Sequence, residues 1–362
     1  MLAAFLEYYQ KNIPDIISGW SVDRFDMSYL INRIKKLNLN HTVLSQLGRV
    51  WVSYHQEDRE HVPVIFGTTV LDLKKLYKKI IYRKPPDFHL ETISQILFGE
   101  GKLETIAIGQ LWRQDIDKLI AYNKRDVELC VKIEERCNLI AYYLQIAQIV
   151  PIKLEDIFYL SKVIDNYILY NYHNKFVFPS KRKNEKVEFL GAEVFFPVKG
   201  RHQNVALFDV ESMYSNIIRT FNISPETLDE NGDIDIDGIK FSSKVEGFFP
   251  KIISSLLKTR AEIRAERDKF ELETEDYKKH DELQAAYKAI LNSVYGVSGY
   301  ANFRLFDPRI SSSITFVGRK ILEWTKDFVE SSKLSVKYGD TDSVYVEFNE
   351  SGENGIASAD EL

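Results

Sequence analysis

The chain has 362 residues, 44% of them hydrophobic and 28% charged, which is the composition of an ordinary globular protein and neither a disordered nor a fibrous one. That length holds two or three domains around sizeable cores, and no apolar run approaches a membrane span, so no membrane role is expected. The net charge of −5 does not advertise a nucleic-acid binder, but it excludes none either, because carboxylates crowded at one site can mask a local basic groove.

In chain order, Met1 to Gln10 is a short amphipathic piece without the basic flank or cleavage site of a signal peptide. Glu7 to Asn38 reads as mostly helical with a break around Pro14 to Ser21, Val62 to Leu71 as a strand, and Leu111 to Asn138 as a helix. Cys130 and Cys137 fall on one helical face about two turns apart, too far to bridge, and no zinc-type Cys/His pattern accompanies them. Helical patterning continues from Cys137 to Asn174 with a break at Pro151, and a domain transition is expected between residues 135 and 180. After an irregular basic stretch from Pro179 to Asn204 comes a strand, Val205 to Asp209, and a helix, Ser212 to Phe221. Ile223 to Gly247 reads as a polar, turn-rich insertion. Two long helices follow, Pro250 to about Leu272 and about Asp276 to Val294, with Gly296 as a stop for the second. A helix from Ile314 to Ser331, a hairpin and a polar tail from Asn349, expected to fray, end the sequence.

Four patterns carry chemistry. Tyr338-Gly-Asp-Thr-Asp-Ser343 sets Asp340 and Asp342 at a hairpin tip, followed by apolar alternation at Val344, Val346 and Phe348. Carboxylates this close repel, and such hard oxygen donors suit Mg²⁺ or Mn²⁺, although Asp is also an ordinary turn residue. Asp209 closes an apolar strand, where it projects into a cleft beside a helix N-terminus suited to phosphate, or else caps that helix. Lys288, Asn292 and Tyr295 share one helical face, as a cation, an amide and an aromatic ring that a nucleotide contacts together, or as a solvated stripe. Arg260, Arg264 and Arg267 repeat that spacing on the preceding helix and suit a triphosphate; their alternative is pairing with Glu262, Glu266 and Asp268.

Taken together and in this order, these segments resemble the family B template-dependent DNA polymerases. Asp209-Val-Glu-Ser-Met-Tyr-Ser-Asn-Ile-Ile218 resembles the first palm motif, Lys288-Ala-Ile-Leu-Asn-Ser-Val-Tyr-Gly296 the fingers motif, and Tyr338 to Ser343 the second palm motif. Upstream, Phe25-Asp26 and Tyr122-Asn-Lys-Arg-Asp126 are similar to the second and third motifs of the family's 3′→5′ exonuclease. Phe189-Leu-Gly-Ala192 resembles the linker motif that touches template DNA. The implied fold is α/β: a partial ribonuclease-H-like exonuclease domain over 1–135, then an α+β palm with a two-helix fingers insertion. Linker helices and the N-terminal palm take 136–248, the fingers 249–300, and the C-terminal palm 301–362.

The implied activity is that of a DNA-directed DNA polymerase, a nucleotidyltransferase. Asp209, Asp342 and the Val210 carbonyl would hold two Mg²⁺ ions, with Mn²⁺ as a substitute, and Asp340 would support them. Ser212, Met213, Tyr214, Arg260, Arg264, Lys288, Asn292 and Tyr295 would bind the nucleotide, Tyr214 lying under the sugar to exclude a 2′-hydroxyl. Asp26 and Asp126 would be exonuclease metal ligands and Tyr122 would orient water. The implied partners are primer–template DNA, dNTPs, separate chains supplying absent segments, and a sliding clamp; the implied location is cytoplasmic, nucleoid-associated in a prokaryote.

The sequence departs from the family in several places. No Asp-x-Glu precedes Asp26, Ser21 and Ser28 replace a usual Asn and Pro, and Ser215 replaces a Pro after Tyr214. Proofreading by this chain alone is therefore expected to be incomplete. Only about 20 residues follow Asp342, so no thumb is expected, and a fragment, a split-polymerase subunit or a non-catalytic DNA-binding relic are the alternatives.

Overall fold

Alternating apolar residues and well-placed caps build the chain locally, and in the computed structural model they assemble into two units, Met1–Tyr159 and Leu160–Leu362. The structure describes residues 1–55, 60–81, 84–103, 108–272 and 274–348. The polar tail that the sequence reading singles out, 349–362, lies outside them. No helix among the described residues is long and apolar enough to cross a membrane.

The first unit runs α1 (Leu2–Lys11), β1 (Ile16–Gly19), a π-helical turn (Val22–Met27), α2 (Ser28–Lys36), a 3₁₀ turn (His41–Leu44), β2 (Val50–His55), β3 (Glu60–Ile65), β4 (Thr69–Asp72), α3 (Leu73–Ile80), α4 (Leu90–Phe98), α5 (Ile108–Gln114), α6 (Ile116–Cys137) and α7 (Leu139–Ile149). Strands β1 and β4 pair in parallel, Ile16 opposite Thr69 through Gly19 opposite Asp72, while β2 and β3 form an antiparallel hairpin. The single strand expected over Val62 to Leu71 is two strands, because Gly67 takes φ +87° and turns the chain between β3 and β4. Leu6 and Tyr9 of α1, Ile31 and Ile34 of α2, and Val50 and Ile65 of the hairpin close one core. Each fully buried aliphatic side chain there contributes about 1.5–3 kcal/mol. Both cysteines on α6 are free thiols.

The second unit contains α8 (Leu160–Tyr172), β5 (Val194–Phe195), β6 (Val205–Asp209), α9 (Met213–Thr220), a 3₁₀ turn (Pro225–Thr227), β7 (Ile234–Ile236), β8 (Ile239–Phe241), α10 (Phe248–Arg267), α11 (Glu275–Ser298), α12 (Pro308–Ser331), β9 (Ser335–Asp340) and β10 (Ser343–Glu347). Four strands make one antiparallel sheet in the order β5-β9-β10-β6. One apolar cluster holds Leu322 and Val329 of α12, Val336, Val344 and Val346 of the sheet, and Phe348, with Phe208 of β6 packed against it. Asp307 caps α12 by accepting from the Arg309 N–H at 3.0 Å, and Pro308 sits at the first helical position, where its missing N–H costs nothing.

Two expectations need correction here. Gly296 does not end α11: the helix runs to Ser298 and Gly299 is its C-cap, because Val297 and Ser298 are buried and their packing outweighs the roughly 1 kcal/mol that a mid-helix glycine costs. The segment from Ile223 to Gly247 is more than a polar insertion. It holds the β7–β8 hairpin and a capping network for α10, in which the backbone N–H groups of Gly247, Phe248 and Phe249 donate to Asn222, Glu226 and Ser224.

Asn222 is the centre of that network. It sits at φ 49°, its amide donates to the Ser242 and Val245 carbonyls at 2.7 and 2.8 Å, and its Oδ1 accepts from Gly247 at 2.7 Å. Asn222→Ala leaves the buried Gly247 N–H and the half-buried Ser242 carbonyl unpaired and puts alanine, which tolerates the left-handed region less well than asparagine, at φ 49°, so we expect a loss of at least about 2 kcal/mol. Denaturant unfolding checks this, and a loss below about 1 kcal/mol would contradict it.

Candidate active site

Asp209 ends β6, and the antiparallel register sets it opposite Ser343, the first residue of β10. The next N–H in line, that of Val210, donates to the Asp342 carbonyl at 2.8 Å. The tip itself is folded tightly: Thr341 has φ 59° and the Asp342 N–H donates to the Asp340 carbonyl at 2.7 Å. A strand end and a hairpin tip more than 130 residues apart in sequence thus place two carboxylates side by side. The electrostatics register this. Burial pushes the Asp342 pKa up, the Asp209 charge raises it further, and Asp340 adds a smaller push.

The three acids are treated differently by their surroundings. Both oxygens of Asp340 are engaged, one by the Tyr338 hydroxyl at 3.1 Å and one by the Thr341 hydroxyl at 2.8 Å. Asp209 does not cap α9, since the residue at that cap is Ser212, in the left-handed region at φ 51° and with no side-chain cap bond. The Met213 side chain lies in the core and its N–H donates to the Val210 carbonyl at 3.2 Å, which leaves that carbonyl a second lone pair. Among the described residues no three His, Cys, Asp or Glu side chains form a ready metal cage. The donor set is instead two crowded carboxylates and one backbone carbonyl, all hard oxygen donors of the kind that Mg²⁺ and Mn²⁺ take.

Beside the acids, the Tyr214 ring lies 4.2 Å from that of Tyr295. Burial, Tyr295 and Asp342 push the Tyr214 phenol up to about 12. Gly318 of α12 permits this fit: a β-carbon there would lie 3.1 Å from the Met213 side chain and 3.2 Å from the Tyr214 ring. Arg319 is one residue further on and was not legible as a site residue. Its guanidinium donates to the Leu190 and Gly191 carbonyls at 3.0 and 2.7 Å, and Thr315, one turn earlier, donates to Leu190 at 2.8 Å, so α12 tethers the Phe189–Ala192 segment. The 315/319 spacing on one face was the available signal.

Helices α10 and α11 run antiparallel, tied by Arg260 to Gln284 at 3.3 Å and by Arg267 to Asp281 at 2.7 Å. Arg267 is held by Asp268 as well, so the ion-paired alternative holds for it. Arg260 and Arg264 instead line a cavity of about 240 Å³ with Glu211 and Ser212. Lys288 and Asn292 lie exposed on α11, one and two turns beyond Gln284.

In the first unit, Asp26, Tyr122 and Asp126 line one cleft of about 650 Å³. Lys102 is in it too, donating to Asp126 Oδ2 at 2.8 Å and to the Tyr122 hydroxyl at 3.3 Å, while Asp126 Oδ1 is buried with no hydrogen-bond partner. Partial burial pushes the Asp26 pKa up. The π-helical turn carrying Asp26 is anchored by Asp23, which is buried against Asp72 and accepts from Lys75 at 2.5 Å and from the Arg24 N–H at 2.6 Å.

Acids stand at the rim of a sheet, flanked by a two-helix arm bearing arginines, and comparison with known proteins places the chain in a family. Residues 161–360 match the model of DNA polymerase family B, and residues 1–93 match that of the family B exonuclease domain. The chain belongs to DNA polymerase family B. It is 26% identical to the DNA-directed DNA polymerase of Escherichia phage RB69, over 96% of this chain and 48% of that protein. It is 28% identical to a DNA polymerase of Pyrococcus glycovorans, over 95% of this chain and 46% of that protein. The structure of the family B DNA polymerase from the hyperthermophilic archaeon Pyrobaculum calidifontis superposes with a TM-score of 0.81 at 23% identity, covering 100% of this chain and 49% of that one. The chain thus spans about half the length of the relatives it matches.

The buried acid pair of the first unit has a measurable consequence. Burial raises the Asp72 pKa to about 7, helped by the hydrogen bond and charge of Asp23. A carboxyl that holds its proton more tightly when folded loses stability as pH rises, here from about 4 through about 7. We expect wild-type stability to fall by roughly 1–2 kcal/mol between pH 5 and pH 8 and Asp72→Asn, which keeps the donor and acceptor, to flatten that fall. Denaturant unfolding at the two pH values checks this; parallel profiles would contradict it.

Proposed function

We propose that this chain performs template-directed DNA synthesis, transferring a nucleotide from a dNTP to the 3′-hydroxyl of a primer. The observation that carries the reading is the meeting of Asp209 and Asp342, with the Asp342 pKa raised by burial and by its neighbour. A fold rarely keeps two such carboxylates together unless a cation is to neutralise them. Asp209, Asp342 and the Val210 carbonyl would hold Mg²⁺, or Mn²⁺ in its place. When bound, divalent ions supply Lewis acidity toward the primer hydroxyl and neutralise phosphate charge.

The protein's own groups do the positioning. Asp340, fixed by Tyr338 and Thr341, supports the site from beside it. Arg260, Arg264 and Lys288 hold the triphosphate, with Asn292 in the same pocket, and Ser212 and Met213 form its floor at the start of α9. Tyr214, wedged between Gly318 and Tyr295, underlies the sugar and excludes a 2′-hydroxyl, and Tyr295 packs near the nascent base pair. In this reading 136–248 holds linker helices and the N-terminal palm, 249–300 the fingers and 301–362 the C-terminal palm, and primer–template DNA is the macromolecular partner. Separate chains that add further segments, and a sliding clamp, belong to the same proposal. The cleft of residues 1–135 is read as an exonuclease-type site, because Asp26, Tyr122 and Asp126 share it and Asp126 Oδ1 lacks a partner.

Asp342→Ala is expected to lower dNTP incorporation on a primed template in Mg²⁺ by on the order of 10³-fold, with a melting curve no less stable than wild type, since it removes a strained charge. A folded variant extending primers at the wild-type rate would sink the assignment.

A further inference from the structure

Glu211 lies in the turn between β6 and α9, and the polymerase reading gives it no role. Its side chain is 82% exposed, yet its Oε1 lies 3.9 Å from Arg264 Nη1. The cavity of about 240 Å³ beside it is lined by three arginines, Arg219, Arg260 and Arg264, and among its lining residues Glu211 is the one carboxylate. Burial and then the Arg264 charge push the Arg260 pKa down, so the cations are crowded enough to oppose one another.

The quality of the contact is informative. Arg267, one turn further along α10, is locked by two contacts of 2.7 Å, to Asp268 and Asp281. Arg264 has one long contact to an exposed carboxylate, with its own side chain 47% exposed. Such a pair is weak and reversible. It offsets cationic repulsion while the cavity holds no anion, and it opposes any anion that enters.

We propose that Glu211 is a built-in competitor for phosphate, holding Arg264 until a polyphosphate displaces it and thereby lowering the affinity of this cavity for triphosphate substrate and pyrophosphate product alike. The proposal deepens the polymerase reading and rests on it. An exposed pair of this kind corresponds to about threefold to fivefold in a dissociation constant. Because the groups are exposed, the effect is screened by salt. Glu211 is here a positioning residue acting through Arg264, with a direct repulsive contribution of its own.

The test is calorimetric titration of the full chain with inorganic tripolyphosphate, without divalent cations, so that neither primer nor metal loading matters. Glu211→Gln is expected to bind about threefold to fivefold more tightly than wild type at about 50 mM salt, with the gain fading toward about 0.5 M. In an Arg264→Ala background the same substitution is expected to give a smaller gain. In primer extension, Glu211→Gln should lower the KM for dNTP and strengthen inhibition by pyrophosphate by similar factors, which a merely structural role would not do. Equal affinities for wild type and Glu211→Gln, with binding weakened by Arg264→Ala, would overturn this proposal and leave the triphosphate reading of the arginines standing. No binding by either form would overturn both.

Discussion

Everything in the second unit depends on one costly juxtaposition, two carboxylates brought together by a sheet. β10 pairs with β6 on one side and β9 on the other, so the end of one strand and the tip of one hairpin have nowhere to go but past each other. The sheet can impose this because it is held from below by apolar packing: Val344 and Val346 are almost fully buried, as are Leu322 and Val329 of α12. Hydrophobic burial of that order outweighs the repulsion between two partly solvated acids, whose interaction in a high effective dielectric is only a few kcal/mol.

Around that pair the molecule sorts its charges by whether they are already satisfied. Arg267, Arg304 and Arg309 are spent on carboxylates nearby: Arg267 on Asp268 and Asp281, Arg304 on the buried Asp165, Arg309 on Asp307. Arg260 is hydrogen-bonded to an amide, that of Gln284, and Arg264 has a long contact to an exposed carboxylate, that of Glu211. The helix that carries both arginines, α10, is anchored firmly at its other end, where side chains of the segment after α9 cap its start. Loosely held cations on a well-anchored helix, lining one cavity with the start of α9, are the physical basis for reading phosphate chemistry here.

Much of this was legible in the sequence, and the exceptions are informative. The strand ending at Asp209 and the end of α12 at Ser331 fall where apolar patterning puts them, because each is a strongly periodic segment with a clear cap or stop. The juxtaposition of Asp209 with Asp342 was legible only through the order of motifs, since no local pattern states which strands pair. Gly296 misled because tertiary packing overrode a propensity. Asn222 and Lys102 were invisible as singletons, because their roles come from partners 20 or more residues away, and for Arg319 the 315/319 spacing gives a shared helix face but not the carbonyls that it meets. Glu211 sat inside a motif without a role of its own, since its contact is with α10 rather than with its chain neighbours.

Nucleotide transfer by the second unit requires the two acids to serve one cation site. Electron paramagnetic resonance can count free Mn²⁺ during a titration of the chain, and a comparison of wild type with Asp209→Asn and Asp342→Asn tests this most directly. Either substitution, one at the end of a strand and one at a distant hairpin tip, is expected to weaken the same Mn²⁺ binding by about tenfold or more. Binding that survives both substitutions unchanged would contradict it.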